Sequence, residues 1–554
     1  MRYFFIFFIF YSPLHALSNS ELQQIEDRNR NILLQDKERK NFERNNHNIV
    51  NSNKNIKILE LEEETTVNKN CFVIKNFTFY ENKVLKLSDF LEITNKYKNN
   101  CLNQQHIQNI LKRINNKYLE QGYITSKAYL KEQDLSLGTL HIHILEGKIE
   151  NITLNGKKRS EIKTAFPSLT DNILNLRDIE MGLEQINRLY RNQAKLSLQA
   201  AKKEGYSHIE ISNQEDKLIF TTASISGNGV ESTGKEVGSL NLFIDNAFGL
   251  NSQIHLGANG ALKQSDEKRS LGYSMGISIP YGYFLFSAGY NEFLYRSTLH
   301  GENGDYVSSG VSSGYNYNMD YTIWRNSQTI IKSNLALNLQ QNLNFIANEL
   351  IKVSSTKTTT AQLGFNLSHN LEHTQFNSNF TIHKGLSLFD PIINSNDKNK
   401  KDQFLKYTAF LSTNVDFTFY ETPLHLTSFL SGQYSNDKLH APELFSMGGY
   451  YSVRGFEYMG YYGEIGSYIH NDLSYQYNAD IFGKRLNLKP YIGLDMGVIE
   501  YDPGVFKHMI GSGFGLQTST LGLNLSINFG IPLYAFDPIA EEEYTSSFSL
   551  GYNY

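Results

Sequence analysis

Cys71 and Cys101 are the two cysteines of this 554-residue chain, and in an oxidising compartment an even pair of thiols can close a disulfide. Such a bridge would tie a strand to the start of a helix across about 30 residues and contribute up to a few kcal/mol. Two buried thiols are the alternative. His141 and His143 alternate along one apolar-polar stretch, which puts both rings on one face as a metal pair requires. No third ligand lies nearby in sequence, and a His-x-His pair on an exposed strand is ordinarily polar surface, so no metal is expected. The phosphate-cradling loop of nucleotide hydrolases, the HExxH helix and the GxSxG nucleophile elbow do not occur. Neither catalysis nor a cofactor has sequence support.

The elements that must position these residues begin with an export signal. Met1 and Arg2 precede an apolar run from Tyr3 to Tyr11, too short to span a bilayer as a helix but fitting the first two regions of a secretory signal. Cleavage after Ala16 or after Ser18 is conceivable, and Ala16-Leu17-Ser18 suits the small-residue rule better, giving a signal peptide at 1–18. Export supplies the oxidising surroundings the cysteine pair needs. No later segment reaches 18 consecutive apolar residues, so a membrane location requires a barrel of strands. A net charge of −4 and a pI near 6.4 give no basic field for nucleic acid, and 35 Tyr, 35 Phe and 40 Gly against 10 Pro favour β-structure.

Residues 19–45 read as a solvated helix whose apolar positions, Leu22, Ile25, Ile32 and Leu33, are too sparse for a core. An Asn-rich and then acidic stretch at 46–69 reads as a linker. A compact α+β module is expected over 70–148, ordered βααββ: a strand from Cys71 to Phe79, a helix near Leu87 to Tyr97, a longer helix from about Asn103, and strands at Tyr123–Leu130 and Thr139–Leu145. The longer helix places Ile107, Ile110, Leu111, Ile114, Tyr118 and Leu119 on one face, and Gly122 ends it with a left-handed cap. A second module of the same order spans 149–213, with Ile179, Leu183, Ile186, Leu189 and Tyr190 on the face of its main helix. Small sheets of this kind keep an edge strand able to accept an extended peptide.

From 217 to 554 the period changes to two. Leu271, Tyr273, Met275, Ile277 and Ile279 alternate with Gly and Ser, and Leu521, Leu523, Leu525, Ile527 and Phe529 do the same near the end. An apolar-out, polar-in pattern in strands of about ten residues predicts an all-β transmembrane barrel of about 16 antiparallel strands with a wet interior. Phe548, Leu550, Tyr552 and Tyr554 share one face of the last strand, a C-terminal barrel signal ending on an aromatic at the bilayer interface.

Three groups of residues then carry a resemblance. Cys71-Phe72-Val73-Ile74, the run from Gly122 to Tyr129, and Gly138-Thr139-Leu140 with Glu146-Gly147 resemble a first POTRA domain. Gly227-Asn228-Gly229, Ser232-Thr233-Gly234 and the run Asp245 to Asn251 resemble a family's opening barrel strands. Most specific is Met447 to Phe456, containing Val453-Arg454-Gly455-Phe456 and followed by Asn471-Asp472-Leu473. Nearly the whole mature chain resembles the TpsB transporters of two-partner secretion, the haemolysin secretion and activation proteins of ShlB/FhaC type. The resemblance implies two periplasmic POTRA domains before an outer-membrane barrel. It also implies a long loop folded back from the cell surface into the lumen, with Arg454 contacting Asp495 in the run Leu488 to Gly497 as a loop-anchoring ion pair. Arginine's planar fork matches a carboxylate in a way lysine cannot, and Gly448, Gly449, Gly455, Gly460 and Gly463 would permit tight reversals beside it. The family usually has Glu where this chain has Asp472, often Tyr where it has Phe456, and commonly ends in Phe where this chain has Tyr554.

The function so implied is a channel of the Gram-negative outer membrane. Its POTRA domains would recognise an unfolded partner exoprotein, a haemolysin, adhesin or toxin, in the periplasm and pass it to the cell surface. The N-terminal helix is expected to occupy the pore at rest, and the barrel-assembly machinery and outer-membrane lipid are the other expected partners. An insertase that assembles other barrels is the nearest rival, though it normally carries more POTRA modules. A passive porin or receptor needs neither the module pair nor the Val-Arg-Gly loop.

Overall fold

The computed structural model describes residues 59–60, 71–301, 304–352, 354–388, 402–456, 460–481, 484–535 and 544–554. The expected signal peptide, the helix at 19–45 and nearly all of the linker lie outside these residues.

The first module is organised by its long helix. β1 (Phe72–Ile74), β2 (Asn76–Tyr80), α1 (Leu87–Thr94), β3 (Asn100–Leu102), α2 (Gln104–Glu120), β4 (Lys127–Tyr129) and β5 (Thr139–Leu145) follow in order. Asn103 caps α2 by accepting from the His106 amide at 2.9 Å. Ile107, Ile110, Ile114 and Tyr118 of α2 are buried with Leu140, Ile142 and Ile144 of β5. Gly122, at φ 90°, closes the helix while the Tyr123 amide donates to the Tyr118 carbonyl at 2.8 Å.

Two expectations are corrected here. The continuous strand from Cys71 to Phe79 is divided, because Phe72–Ile74 pairs antiparallel with Asn100–Leu102 whereas Asn76–Tyr80 pairs parallel with β5. The changeover falls at Lys75, whose amide and that of Asn76 both donate to the Gly138 carbonyl. The strand expected over Tyr123–Leu130 shrinks to Lys127–Tyr129, since Tyr123 is used by the helix cap and Ser126 turns back onto the Tyr123 carbonyl.

The second module has β6 (Lys148–Leu154), α3 (Ser160–Ala165), α4 (Leu176–Asn187), β7 (Asn192–Ala200) and β8 (Tyr206–Glu215), with sheet order β6-β8-β7. Ile179, Leu183 and Ile186 of α4 join Ile149, Ile152, Ile209 and Ile211 in its core. Tyr190 departs from the sequence expectation: α4 has ended, and its ring stacks at 4.3 Å on Phe220 of the first barrel strand instead of entering the module's core.

Sixteen strands then close a barrel, each antiparallel to its neighbours, the last (Thr545–Asn553) pairing with the first (Ile219–Ser226). Short additional ladders, Glu349–Leu350 and Tyr477–Ile481, extend two of them. In strand Arg269–Tyr281, Tyr273 and Met275 are 47% and 57% exposed on the outer face, where lipid replaces water. Inward side chains bond to one another, as Ser312 to Asn342 at 2.6 Å and Asn342 to Thr356 at 3.0 Å. Leu521 is a turn residue at φ 44°, so that apolar alternation starts at Leu523.

The second module seats directly on the periplasmic turns. Arg325 Nη1 donates to Glu184 Oε2 at 2.8 Å, Lys332 Nζ to Glu184 Oε1 at 3.2 Å, and the Tyr283 hydroxyl to Asp178 at 2.6 Å. Gln185 donates to the Gly282 carbonyl at 3.0 Å and Arg188 to the Asn251 carbonyl at 2.6 Å. Helix α4 is thus fixed to the barrel rim by charged and polar contacts.

Candidate functional site

Between strands Thr422–Ser435 and Gly466–Tyr475 the chain makes a long excursion that begins and ends in a short ladder, Phe445–Met447 with Tyr461–Gly463. In strand Lys484–Asp502 the side chains of Ile492, Leu494 and Met496 are exposed outward, so the intervening Asp495 faces the lumen, as does Ile499 four residues further along. Both are fully buried because the excursion lies on them. Met447, Val453, Phe456 and Tyr461 of the excursion pack with Tyr468, Ile499 and Met509 of the wall into a small apolar cluster inside the barrel.

Arg454 sits at the deepest contact. Its Nε donates to Asp495 Oδ2 at 2.6 Å and its Nη2 to Asp495 Oδ1 at 2.7 Å, a two-pronged pair in which the side chains are 2% and 0% exposed. Nη1 donates to Asp472 Oδ1 at 2.6 Å, Nη2 also to the Asn471 carbonyl at 2.9 Å, and the Arg454 backbone amide to Asp495 Oδ2 at 3.1 Å. The Tyr491 ring lies 5.6 Å from the guanidinium.

Missing side chains make room for this one. A Cβ at Gly493 or Gly513 would overlap the guanidinium, and one at Gly511 would overlap the Arg454 carbonyl. Gly455 itself, at φ 92°, lies so close to strand Leu523–Ala535 that a Cβ would strike the Ile531 and Pro532 backbone. Gly448 and Gly449 also have positive φ, whereas Gly463 is required by its close approach to the Glu500 carbonyl.

Val453, Arg454, Gly455, Phe456 and Asp495 are therefore brought together, with Asp472 as a second carboxylate. The three glycines of the wall and His470, whose Nδ1 lies 3.3 Å from Asp495 Oδ1, were not singled out from sequence. His470 and Gly493 stand two residues from Asp472 and Asp495 on their own strands, but Gly511 and Gly513 lie on the next strand, where only the cross-strand register brings them to Arg454. Cys71 and Cys101 are bonded to each other with Cα atoms 5.3 Å apart. Phe548, Leu550, Tyr552 and Tyr554 all face outward. The Thr78 hydroxyl lies 2.6 Å from His141 Nδ1 and Tyr80 stacks on His143 at 5.0 Å, so the histidine pair belongs to an aromatic sheet face. Among the described residues no group of three or more His, Cys, Asp or Glu is placed to hold a metal ion. The contacts of Arg454 tie the inward excursion to three residues of the barrel wall, Asp495, Asp472 and Asn471.

A closed barrel with a polar-lined lumen, two α+β modules at its periplasmic mouth and a loop held inside defines an outer-membrane transporter of the POTRA-bearing class. The family model for haemolysin secretion/activation proteins ShlB/FhaC/HecB matches residues 205–518, and POTRA models match 72–147 and 148–200. The chain belongs to that family of outer-membrane transporters. It is 29% identical over 84% of its length to the outer membrane transporter CdiB of Dickeya dadantii, covering 83% of that protein. The haemolysin transporter ShlB of Serratia marcescens is 27% identical, with 72% of this chain and 71% of the relative covered. The solved structure of CdiB from Escherichia coli superposes with a TM-score of 0.89 at 25% identity, covering 96% of this chain and 99% of the other.

Proposed function

We propose that this chain carries one unfolded partner polypeptide from the periplasm through the barrel to the cell surface, and that the Arg454 clamp holds the inward loop in a transport-competent position. The observation that carries the reading is the clamp itself. The loop packs on the wall through a small apolar cluster, and beside that cluster a fully buried carboxylate and an arginine whose three side-chain nitrogens are all engaged fix it in place. A passive pore has no need of that arrangement.

Capture begins at the modules. β7 is an outer strand of its sheet and, at nine residues, the longest edge among the described module strands, so a segment of the partner can add to it by main-chain pairing. The partner is a secreted exoprotein of haemolysin, adhesin or toxin type. Folding of the partner outside the cell removes the unfolded form and disfavours its return. The outward apolar stripe Phe548, Leu550, Tyr552 and Tyr554 serves as the signal for the barrel-assembly machinery and then meets outer-membrane lipid.

The test compares secreted and outer-membrane proteins from cells with the intact gene, with it deleted, and with Arg454→Ala. Loss of one or two large secreted proteins in both altered strains, with other barrels unchanged, is expected. A general loss of outer-membrane barrels would instead make the chain an insertase, and no change in either fraction would leave a porin or receptor.

A further inference from the structure

The clamp has a fourth ionisable member. His470 lies two residues before Asp472 on the same face of strand Gly466–Tyr475 and is 5% exposed. Its Nδ1 is 3.3 Å from Asp495 Oδ1 and its Nε2 is 3.6 Å from Asp472 Oδ2, so the ring spans the two carboxylates that Arg454 grips. The Nδ1 atom is shielded from solvent and makes no hydrogen bond of ordinary geometry. Its relation to Asp495 is a charge contact, available to an imidazolium and of little value to a neutral ring.

Formal charges decide what that contact does. Arg454 contributes +1 and Asp472 and Asp495 contribute −1 each, so the cluster sums to −1 with a neutral imidazole and to zero with an imidazolium. The neighbours that face the ring are Asp472 on its own strand, Asp495 on strand Lys484–Asp502, Arg454 on the loop, and the uncharged Phe429 ring on strand Thr422–Ser435 at 6.2 Å. An uncompensated charge in a site shielded from water is costly, and of His470, Arg454, Asp472 and Asp495 only the imidazole ordinarily changes charge near neutrality.

We propose that His470 is a positioning residue of the clamp, supplying the second positive charge that holds Asp472 and Asp495 in place for Arg454, so that the grip on the inward loop depends on pH. This rests on the reading of Arg454 as the loop's anchor. Protonation tightens the loop against the wall, and loss of the proton leaves two carboxylates sharing one arginine.

The experiment reconstitutes the full-length protein in planar lipid bilayers and records the fraction of time spent in large-conductance states from about pH 5.5 to about pH 8.5, the interval over which imidazole charge changes. Wild type, His470→Gln, His470→Asn, His470→Lys and Arg454→Ala are compared, each first checked for heat-modifiable migration as a folded barrel. Wild type is expected to open several-fold more often at the alkaline end. The Gln and Asn variants should open often at every pH, and the Lys variant, with a permanent cation, should open rarely at every pH. A wild type with a flat profile, or a folded Gln or Asn variant that keeps the wild-type pH dependence, would overturn the proposal. Arg454→Ala separates the two readings: if it opens no more than wild type, the anchor reading fails. If it opens freely while the position-470 variants behave as wild type, only the role of His470 fails.

Discussion

At the scale of single residues, the clamp makes charge and shape separately testable. Asp495→Asn keeps size and removes charge, so two of the guanidinium's bonds pass from a carboxylate to an amide while Asp472 still balances its charge, at a cost of about 2–3 kcal/mol to loop attachment. Arg454→Lys keeps charge but replaces a planar fork by a point donor, so it should resemble Arg454→Ala more than wild type. Gly493→Ala leaves every charge in place and puts a methyl group against both the guanidinium and the Asn471 carbonyl that it bonds, so it should depress secretion as Asp495→Asn does, read as exported partner per folded barrel. Normal secretion by Gly493→Ala would show that the slot is not needed. The difference in legibility has a physical source. Val453 to Phe456 is one contiguous motif, and Asp495 came from resemblance, whereas Gly493, Gly511 and Gly513 meet Arg454 only through the register that pairs Asp472 with Gly493, Gly493 with Gly513 and Asp495 with Gly511. No local pattern encodes a cross-strand register.

At the scale of elements, α2 was legible because burial and helical period coincide, while the divided first strand was not, because Cys71 to Phe79 is uniformly strand-like and only its partners differ. The bridge between Cys71 and Cys101 ties β1 to β3 across a separation of 30 residues. A loop of that length corresponds to about 3–4 kcal/mol, so replacing both cysteines by serine should lower the first module's resistance to urea by that amount, followed by proteolysis of residues 72–147. The docking of α4 was invisible from sequence because Glu184 meets Arg325 and Lys332 across separations of 141 and 148 residues. Burial would raise the Glu184 carboxyl, but Lys332 and Arg325 outweigh it and hold the group below the usual carboxylate range. A depressed carboxylate contributes stability that is complete above its unfolded value, about 4.3, and is lost as pH falls through the lower folded value. Thermal unfolding of the detergent-solubilised protein should therefore show the module and barrel uncoupling only below about pH 4. Glu184→Gln should weaken the coupling at neutral pH and flatten that acid limb. An unchanged limb in the Gln variant would assign the acid sensitivity to another group.

At the scale of the whole molecule, the question is whether the partner passes through a closed barrel or through an opened seam. The closing seam between the first and last strands holds five residue pairs, from Ser549 with Ser226 to Asn553 with Thr222, whereas strand Phe284–Gly301 shares 18 with its successor. Tyr554 and Thr221 add reciprocal main-chain bonds of 2.9 and 3.0 Å at one end of the seam, and the Gly227 amide donates to the Phe548 carbonyl at 2.9 Å at the other. A short seam is what an insertase would open, so seam length alone does not separate the two activities, but a covalent closure does. A Cβ at Gly551 would lie 3.8 Å from the Ser224 Cβ, within the range of about 3.5–4.5 Å that a disulfide requires. The native cysteines are already joined to each other, so Ser224→Cys with Gly551→Cys has no other thiol to capture. With α4 fixed to the rim and the loop clamped to the wall, a path through the lumen predicts that the oxidised double variant secretes its partner at the level of the wild type treated alike. Secretion that stops on oxidation and returns on reduction would place the path, or an obligatory opening, at the seam.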